Sequence, residues 1–333
     1  MKERIARRRG PRHTRHRGAK LTLAASAATL AVASCAPASA GTDDIEVVAS
    51  FYPLQFVAQE VGGSEISVTN LTPSGAEPHD LELTTRNVLT LEEADVVMTL
   101  SGFQPALDDA LSEIEGPVVL DSASAENPNL HSSHGHAAHD HSEHDHGSTH
   151  TENTGHEGHS HAGVDPHFWL DPTRLIPLAR HTAQTFAEAD PAHAEQYSAR
   201  AENLIQRLKT LDEEFTSSLS DCRQDVIVVS HEAFGYLAHR YGLEQVGIAG
   251  LDPENEPSPA RMQQVARVVQ AEGVSTIFTE TLVSGDVARA MATELGITVE
   301  QLNPLESLQD PQADYFSVMR QNLTSLHDAL DCA

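Results

Sequence analysis

Val226-Ile227-Val228-Val229-Ser230-His231-Glu232-Ala233-Phe234-Gly235-Tyr236-Leu237-Ala238-His239-Arg240-Tyr241 changes character halfway along. Val226–Ser230 is a short apolar, β-branched run that reads as a buried strand, and Phe234–Tyr241 reads as a helix. A strand that gives way to a helix within a few residues is the repeating unit of a parallel sheet. Downstream the alternation continues, with Gln245–Ala249 as strand, Pro259–Ala271 as helix, Ser275–Thr279 as strand, Asp286–Leu295 as helix, Thr298–Leu302 as strand and Asp314–Leu330 as a terminal helix. Upstream the same pattern runs through strand Ile45–Ala49, helix Leu54–Val61, strand Ile66–Leu71, helix Thr84–Ala94, strand Asp95–Leu100, helix Gln104–Ile114 and strand Pro117–Leu120. Between the two sets lie helical stretches Pro172–Ala189 and Pro191–Ser220, the second with Leu204, Leu208 and Leu211 on one face. Thirty helical residues would reach about 45 Å, enough to run the height of a two-lobe protein. The expected fold class is α/β: two α/β lobes bridged by one long helix, with a ligand site at strand ends in the inter-lobe cleft.

The chain divides accordingly into a signal-type segment over 1–34, an N-terminal lobe over 45–123, a polar tract over 124–163, the end of the first lobe over 164–190, a bridging helix over 191–220 and a C-terminal lobe over 221–333. Met1–Lys20 carries 9 of the 21 Lys and Arg, and Leu21–Val32 is an apolar run too short to span a bilayer as a helix. Val32-Ala33-Ser34-Cys35 resembles a bacterial lipobox, which would place a lipid on Cys35, while Ala38-Ser39-Ala40 equally fits ordinary cleavage. Beyond that segment 12 basic residues face 48 acidic ones. That balance excludes nucleic acid and anionic membrane as partners of the body of the protein, since both need positive patches. It leaves a lipid anchor as the only membrane attachment. Cys222 and Cys332 can pair in an oxidising exterior, although their distance is not legible in the sequence.

The polar tract contains 11 of the 20 histidines between His131 and His161, set among Gly, Ser, Asp and Glu. It cannot bury enough apolar surface to offset its ordering entropy, and imidazole is the commonest metal ligand, so its composition reads as a loose collector of metal ions. No Lys or Arg lies between Arg86 and Arg174 to compete for those nitrogens. Three further histidines stand where ordered segments turn: His79 in Gly75-Ala76-Glu77-Pro78-His79-Asp80, His167 in Asp165-Pro166-His167-Phe168-Trp169, and His231 after Val226–Ser230. Together they read as ligands converging between the lobes. A tetrahedral ion wants a fourth donor, for which Glu306, Glu280, Glu77 and water are candidates. Glu306 is the choice, because it follows a strand end as His231 does and supplies negative charge to a dry cleft. Glu280 would otherwise cap the helix beginning near Gly285, and its replacement by Gln would do little. His181, His193, His239 and His327 fall on helices and read as solvated or capping. Ligating imidazoles must be neutral, so binding should weaken below about pH 6.5.

Gly75–Thr84, Asp165–Pro172, Val228–Leu243, Ile277–Ser284 and Leu302–Leu308 resemble the zinc-binding (ZnuA-like or AdcA-like) metal solute-binding proteins of ABC transporters, over about Ile45 to Leu330. The resemblance implies two lobes bridged by a rigid helix, one Zn²⁺ held between them by His79, His167 and His231, and delivery to a membrane permease and its ATPase. Manganese relatives tend to have a carboxylate where His231 stands, so a third imidazole favours the softer ion. Many relatives also have Asp where this chain has Asn303. The chain is expected to act as an exported monomer, not an enzyme. It lacks HExxH, and Thr281-Leu282-Val283-Ser284-Gly285 only grazes a nucleophile elbow. A zinc hydrolase and an adhesin or extracellular metal buffer are the readings to be set against it.

Overall fold

The structure, a computed structural model, describes residues 44–125, 165–282 and 284–333. The signal-type segment, Cys35 and all but the first two residues of the tract 124–163 lie outside the described residues.

The first lobe is built on β1 (Ile45–Ala49), β2 (Ile66–Asn70), β3 (Val96–Thr99) and β4 (Val118–Asp121), all parallel in the order β2-β1-β3-β4. Its helices are α1 (Tyr52–Gly62), α2 (Thr85–Glu93), α3 (Pro105–Glu113) and the single turn α4 (Ser122–Ala125). β3 is apolar up to its closing threonine and buried throughout, as a strand covered on both faces must be. Val47, Ala49, Val96 and Met98 face one core, and Val48 and Val97 face a smaller one with Leu71, Leu91 and Leu107. Thr84 starts α2 with a capping box to Asn87.

Next come α5 (Leu175–Ala189) and α6 (Ala194–Ser218). The expected helix over 191–220 is shortened at both ends. Asp190 caps a 3-10 turn, Pro191–His193, and His193 at φ −111° and ψ 13° stands outside the α-helical path, so α6 has 25 residues and spans about 37 Å. The second lobe contains β5 (Val226–Val229), α7 (Gly235–Tyr241), β6 (Glu244–Gly247), α8 (Pro259–Glu272), β7 (Thr276–Thr279), α9 (Asp286–Leu295), β8 (Thr298–Gln301) and α10 (Tyr315–Ala329). Its parallel sheet has the order β6-β5-β7-β8. Gly273 and Gly296, at φ 69° and 71°, reverse the chain after α8 and α9 in the left-handed conformation that side chains resist.

Two α/β lobes joined by α6 are thus the architecture. α6 buries Leu204, Ile205, Leu208, Leu211 and Phe215 in one apolar core that continues from the first lobe into the second. Its polar side is tied to both. Arg200 and Arg207 reach Gly62 O and Glu60 in the first lobe, and Asp212 and Glu214 receive Arg240 and Arg320 from the second. Cys222, just after α6, and Cys332, just after α10, are joined in a disulfide. Among the described residues no helix is long and apolar enough to cross a membrane.

Candidate metal centre

Each lobe presents loops at the C-terminal ends of its strands, and the expected histidines sit on them. His79 lies in the loop between β2 and α2. Gln104, 1% exposed, grips that loop by donating to Thr72 Oγ1 (3.1 Å) and Pro78 O (3.0 Å), and the His79 ring meets Phe103 edge-on at 4.5 Å. His167 opens the buried turn Phe168–Leu170. Asp165 Oδ1 accepts its backbone N–H at 2.9 Å and also lies 2.8 Å from its Nδ1. His231 follows β5 directly, its Nδ1 2.6 Å from Glu280 Oε1, and Ser230 Oγ donates to the same oxygen.

Glu306 arrives on the loop after β8, across from these. Trp169 Nε1 donates to Pro304 O at 2.7 Å, and Tyr315 donates to Trp169 O at 2.7 Å, locking the His167 turn against that loop. Gly75 N–H donates to Ser307 Oγ at 2.8 Å, and Ser74 Oγ to Leu308 O, joining the His79 loop to it as well. The structure therefore brings the four expected residues together: one donor atom from each of His79, His167, His231 and Glu306 lies within 4.8 Å of the others. Glu306 Oε1 is 3.0 Å from His167 Nε2 and 3.5 Å from both His79 Nε2 and His231 Nε2, and His231 Nε2 lies 3.5 Å from His167 Nε2. Four ligands at tetrahedral geometry and 2.0–2.1 Å from an ion would be about 3.3 Å apart. Among the described residues His79 Nε2 is buried without a hydrogen-bond partner, a cost that a bound cation removes.

Charge follows from this packing. Burial, the largest single influence, would raise the Glu306 carboxyl, but the imidazoles of His167, His231 and His79 around it hold it well below the usual carboxylate range. Burial likewise pulls His231 down, yet the Glu280 charge and hydrogen bond, joined by Glu306, push it up to about 10. For His167 the hydrogen bonds of Asp165 and Glu306 outweigh burial in the same sense. Glu77 is pushed up to about 8, first by burial and then by the charge of Glu306.

The remaining candidates fall outside the four. Glu77 Oε1 accepts the His79 N–H at 3.2 Å and comes no nearer than 3.9 Å to its Nε2. Glu280 neither enters the group nor caps α9; it holds the outer nitrogen of His231. That contact is one the sequence reading does not assign to Glu280. The part played by Asp165 also went unread. A signal existed for each: Asp165 stands two residues before His167, and the pairing of Val229 with Phe278 sets His231 beside Glu280 on neighbouring strands. His181 and His239 are exposed, and His193 pairs with Asp190.

Two lobes whose facing loops enclose one set of three imidazoles and a carboxylate define a metal-binding protein of the two-lobed solute-binding class. The chain belongs to the family described as zinc-uptake complex component A, periplasmic, whose model matches residues 47–329. It is 35% identical over 296 residues to the zinc-binding protein AdcA of Streptococcus pyogenes, covering 87% of this chain but only 56% of that protein. It is 33% identical over 296 residues to the high-affinity zinc uptake system protein ZnuA of Bacillus subtilis, covering 86% and 88%. Among solved structures it resembles a Zn(II)-bound variant of Streptococcus pneumoniae AdcAII at TM-score 0.71 and 29% identity, covering 86% of this chain and 98% of that one.

Proposed function

We propose that this protein captures Zn²⁺ outside the cytoplasm and delivers it to the permease and ATPase of an ABC transporter, with His79, His167, His231 and Glu306 as ligands. The observation that carries the reading is the size of the donor set: four of its six edges measure 3.0–3.5 Å, the spacing of ligands around a small tetrahedral ion. Three nitrogens and one oxygen suit zinc better than the oxygen-preferring Mn²⁺. Binding is favoured over hydrolysis because all four donors are protein groups, whereas catalytic zinc sites keep a position open for water. Zinc is cargo here. The site must release it, and only His79 is appreciably exposed, at 14%, against 1% or less for the other three side chains. That edge is the side from which an ion would enter and leave.

The family and the relatives' names support the transport role, and the exported location is carried by the signal-type sequence. Attachment through a lipid on Cys35, monomeric action and the division into lobes over 45–123 with 164–190, a bridge over 191–220 and a lobe over 221–333 belong to the same proposal. Metal analysis of purified protein, with Zn²⁺ and Mn²⁺ in competition, tests it. One tightly held Zn²⁺ at the four-residue site is expected, lost in each of His79→Ala, His167→Ala and His231→Ala, along with the thermal stabilisation that zinc gives the wild type. Equal stabilisation of wild type and all three variants would overturn the ligand assignment.

A further inference from the structure

Three of the four ligands are braced close to their own strands or turns, but Glu306 reaches the site through a backbone detour. Leu305, directly before it, adopts φ 59°, a left-handed conformation that branched side chains resist and that persists only where the surroundings over-determine it. The bracing comes from outside the loop. Asn303 Oδ1 accepts the Leu305 N–H at 2.8 Å. Asn303 is in turn gripped by Asn322, whose Oδ1 accepts the Asn303 N–H at 2.9 Å and whose Nδ2 donates to Asn303 O at 2.7 Å. Asn322 is 2% exposed on α10, among Val318, Met319, Leu323 and Leu326, where an apolar residue would otherwise be expected. An amide in such surroundings is tolerated because the Asn303 backbone satisfies it.

The loop also limits the carboxylate. Only Oε1 of Glu306 meets the three imidazoles, while Oε2 is buried and makes no hydrogen bond among the described residues. With no hydrogen bond to fix Oε2, the course of the loop is what sets the direction of the carboxylate. We propose that Asn322 is a positioning residue that, through Asn303 and Leu305, confines Glu306 to one-oxygen ligation and so fits the site to a small tetrahedral ion. This rests on the reading that these four residues hold zinc. Releasing the loop would let both oxygens turn inward, raising the coordination number and favouring larger, oxygen-preferring ions over Zn²⁺.

The test compares wild type with Asn322→Leu, which removes both hydrogen bonds at similar volume, and with Asn322→Asp, which keeps the acceptor and loses the donor. Leu323→Ala on the same helix serves as a control for lost packing alone. Zn²⁺ and Mn²⁺ affinities are measured by chelator competition, and the visible spectrum of Co²⁺-loaded protein reports coordination number. Asn322→Leu should narrow the preference for Zn²⁺ over Mn²⁺ at least tenfold and replace the intense four-coordinate Co²⁺ bands by weak ones. Asn322→Asp should move both readouts in the same direction, and Leu323→Ala should lower stability while leaving both unchanged. A wild-type ratio and spectrum in either folded Asn322 variant overturns the proposal. If wild type itself holds no tight Zn²⁺, the zinc reading fails instead, and that result is visible before any variant is made.

Discussion

For His167 and His231, which nitrogen faces an ion is decided by the carboxylate behind the ring. Asp165 and Glu280 lie 2.8 and 2.6 Å from Nδ1 of His167 and His231, so that nitrogen carries the proton and Nε2 keeps its lone pair for the metal. Asp165→Asn and Glu280→Gln should each lower zinc affinity by about 10–100-fold while leaving one ion bound per chain, read by competition with a chelator. Unchanged affinity in both would show that packing alone, from Trp169 beside His167 and from Ser230 beside His231, orients the rings. The four proposed ligands were legible because His79, His231 and Glu306 each follow a short apolar run and His167 opens one. The contact of Glu280 with His231 is hidden from the sequence for a topological reason. Its nearness to His231 depends on β7 lying beside β5, an order that skips β6 and is written nowhere in the local sequence. Asp165, two residues from its histidine, needed no topology, only attention to the second ring nitrogen.

Among the elements, α6 shows most directly how far a pattern can be read. Its leucine stripe was visible and is buried, with Leu204, Leu208 and Leu211 all at 0% exposure. Its start was not, because Asp190-Pro191 opens an α-helix and a 3-10 turn with the same chemistry, and only the backbone at His193 separates them. Leu208→Ala should cost about 2–5 kcal/mol, as large-to-small changes in closed cores do. Measured by denaturation with a chelator present, a loss below 1 kcal/mol would show that this part of the core can collapse. The exposed pair Arg320–Glu214 should contribute far less, about 0.2–1 kcal/mol, because salt and water screen it. The histidine tract over 131–161 has no place in this packing argument and is predicted from composition alone. Its deletion should lower the number of ions bound while leaving the single tight ion in place, since imidazoles in a polar tract must lose entropy to converge. Loss of tight binding on deletion would make the tract part of the principal site.

At the scale of the whole molecule, the two lobes meet around a set of opposite charges that an incoming cation must rearrange. Without an ion, His231 is raised to about 10 and its contribution to stability is fully present below about pH 6.5, then lost as pH climbs through 10. Glu306 is depressed, so its contribution is present above about pH 4.3 and lost as pH falls through its lower folded value. The ion-free protein should therefore gain most from this cluster between about pH 4.3 and 6.5, and progressively less above that. Zinc works in the opposite direction. It needs neutral imidazoles, so every proton held on the cluster must leave as the ion enters, and affinity should rise about tenfold per pH unit for each proton displaced. Ordinary imidazoles would confine that effect to the region below about pH 6.5 and would each shed only about a tenth of a proton at pH 7.5. The buried carboxylates Glu280 and Glu306 extend it upward. Calorimetric titration with zinc at pH 7.5, in two buffers of different protonation enthalpy, should show release of at least about one proton per ion, from His231 and with a further share from His167, and the zinc-induced rise in Tm should grow between pH 6 and 8. Glu280→Gln removes the charge that most strongly holds the His231 proton, so it should cut the released proton markedly even as it loosens the ring. If wild type releases no proton at pH 7.5, His231 is already neutral, and the carboxylates around it act only as hydrogen-bond acceptors.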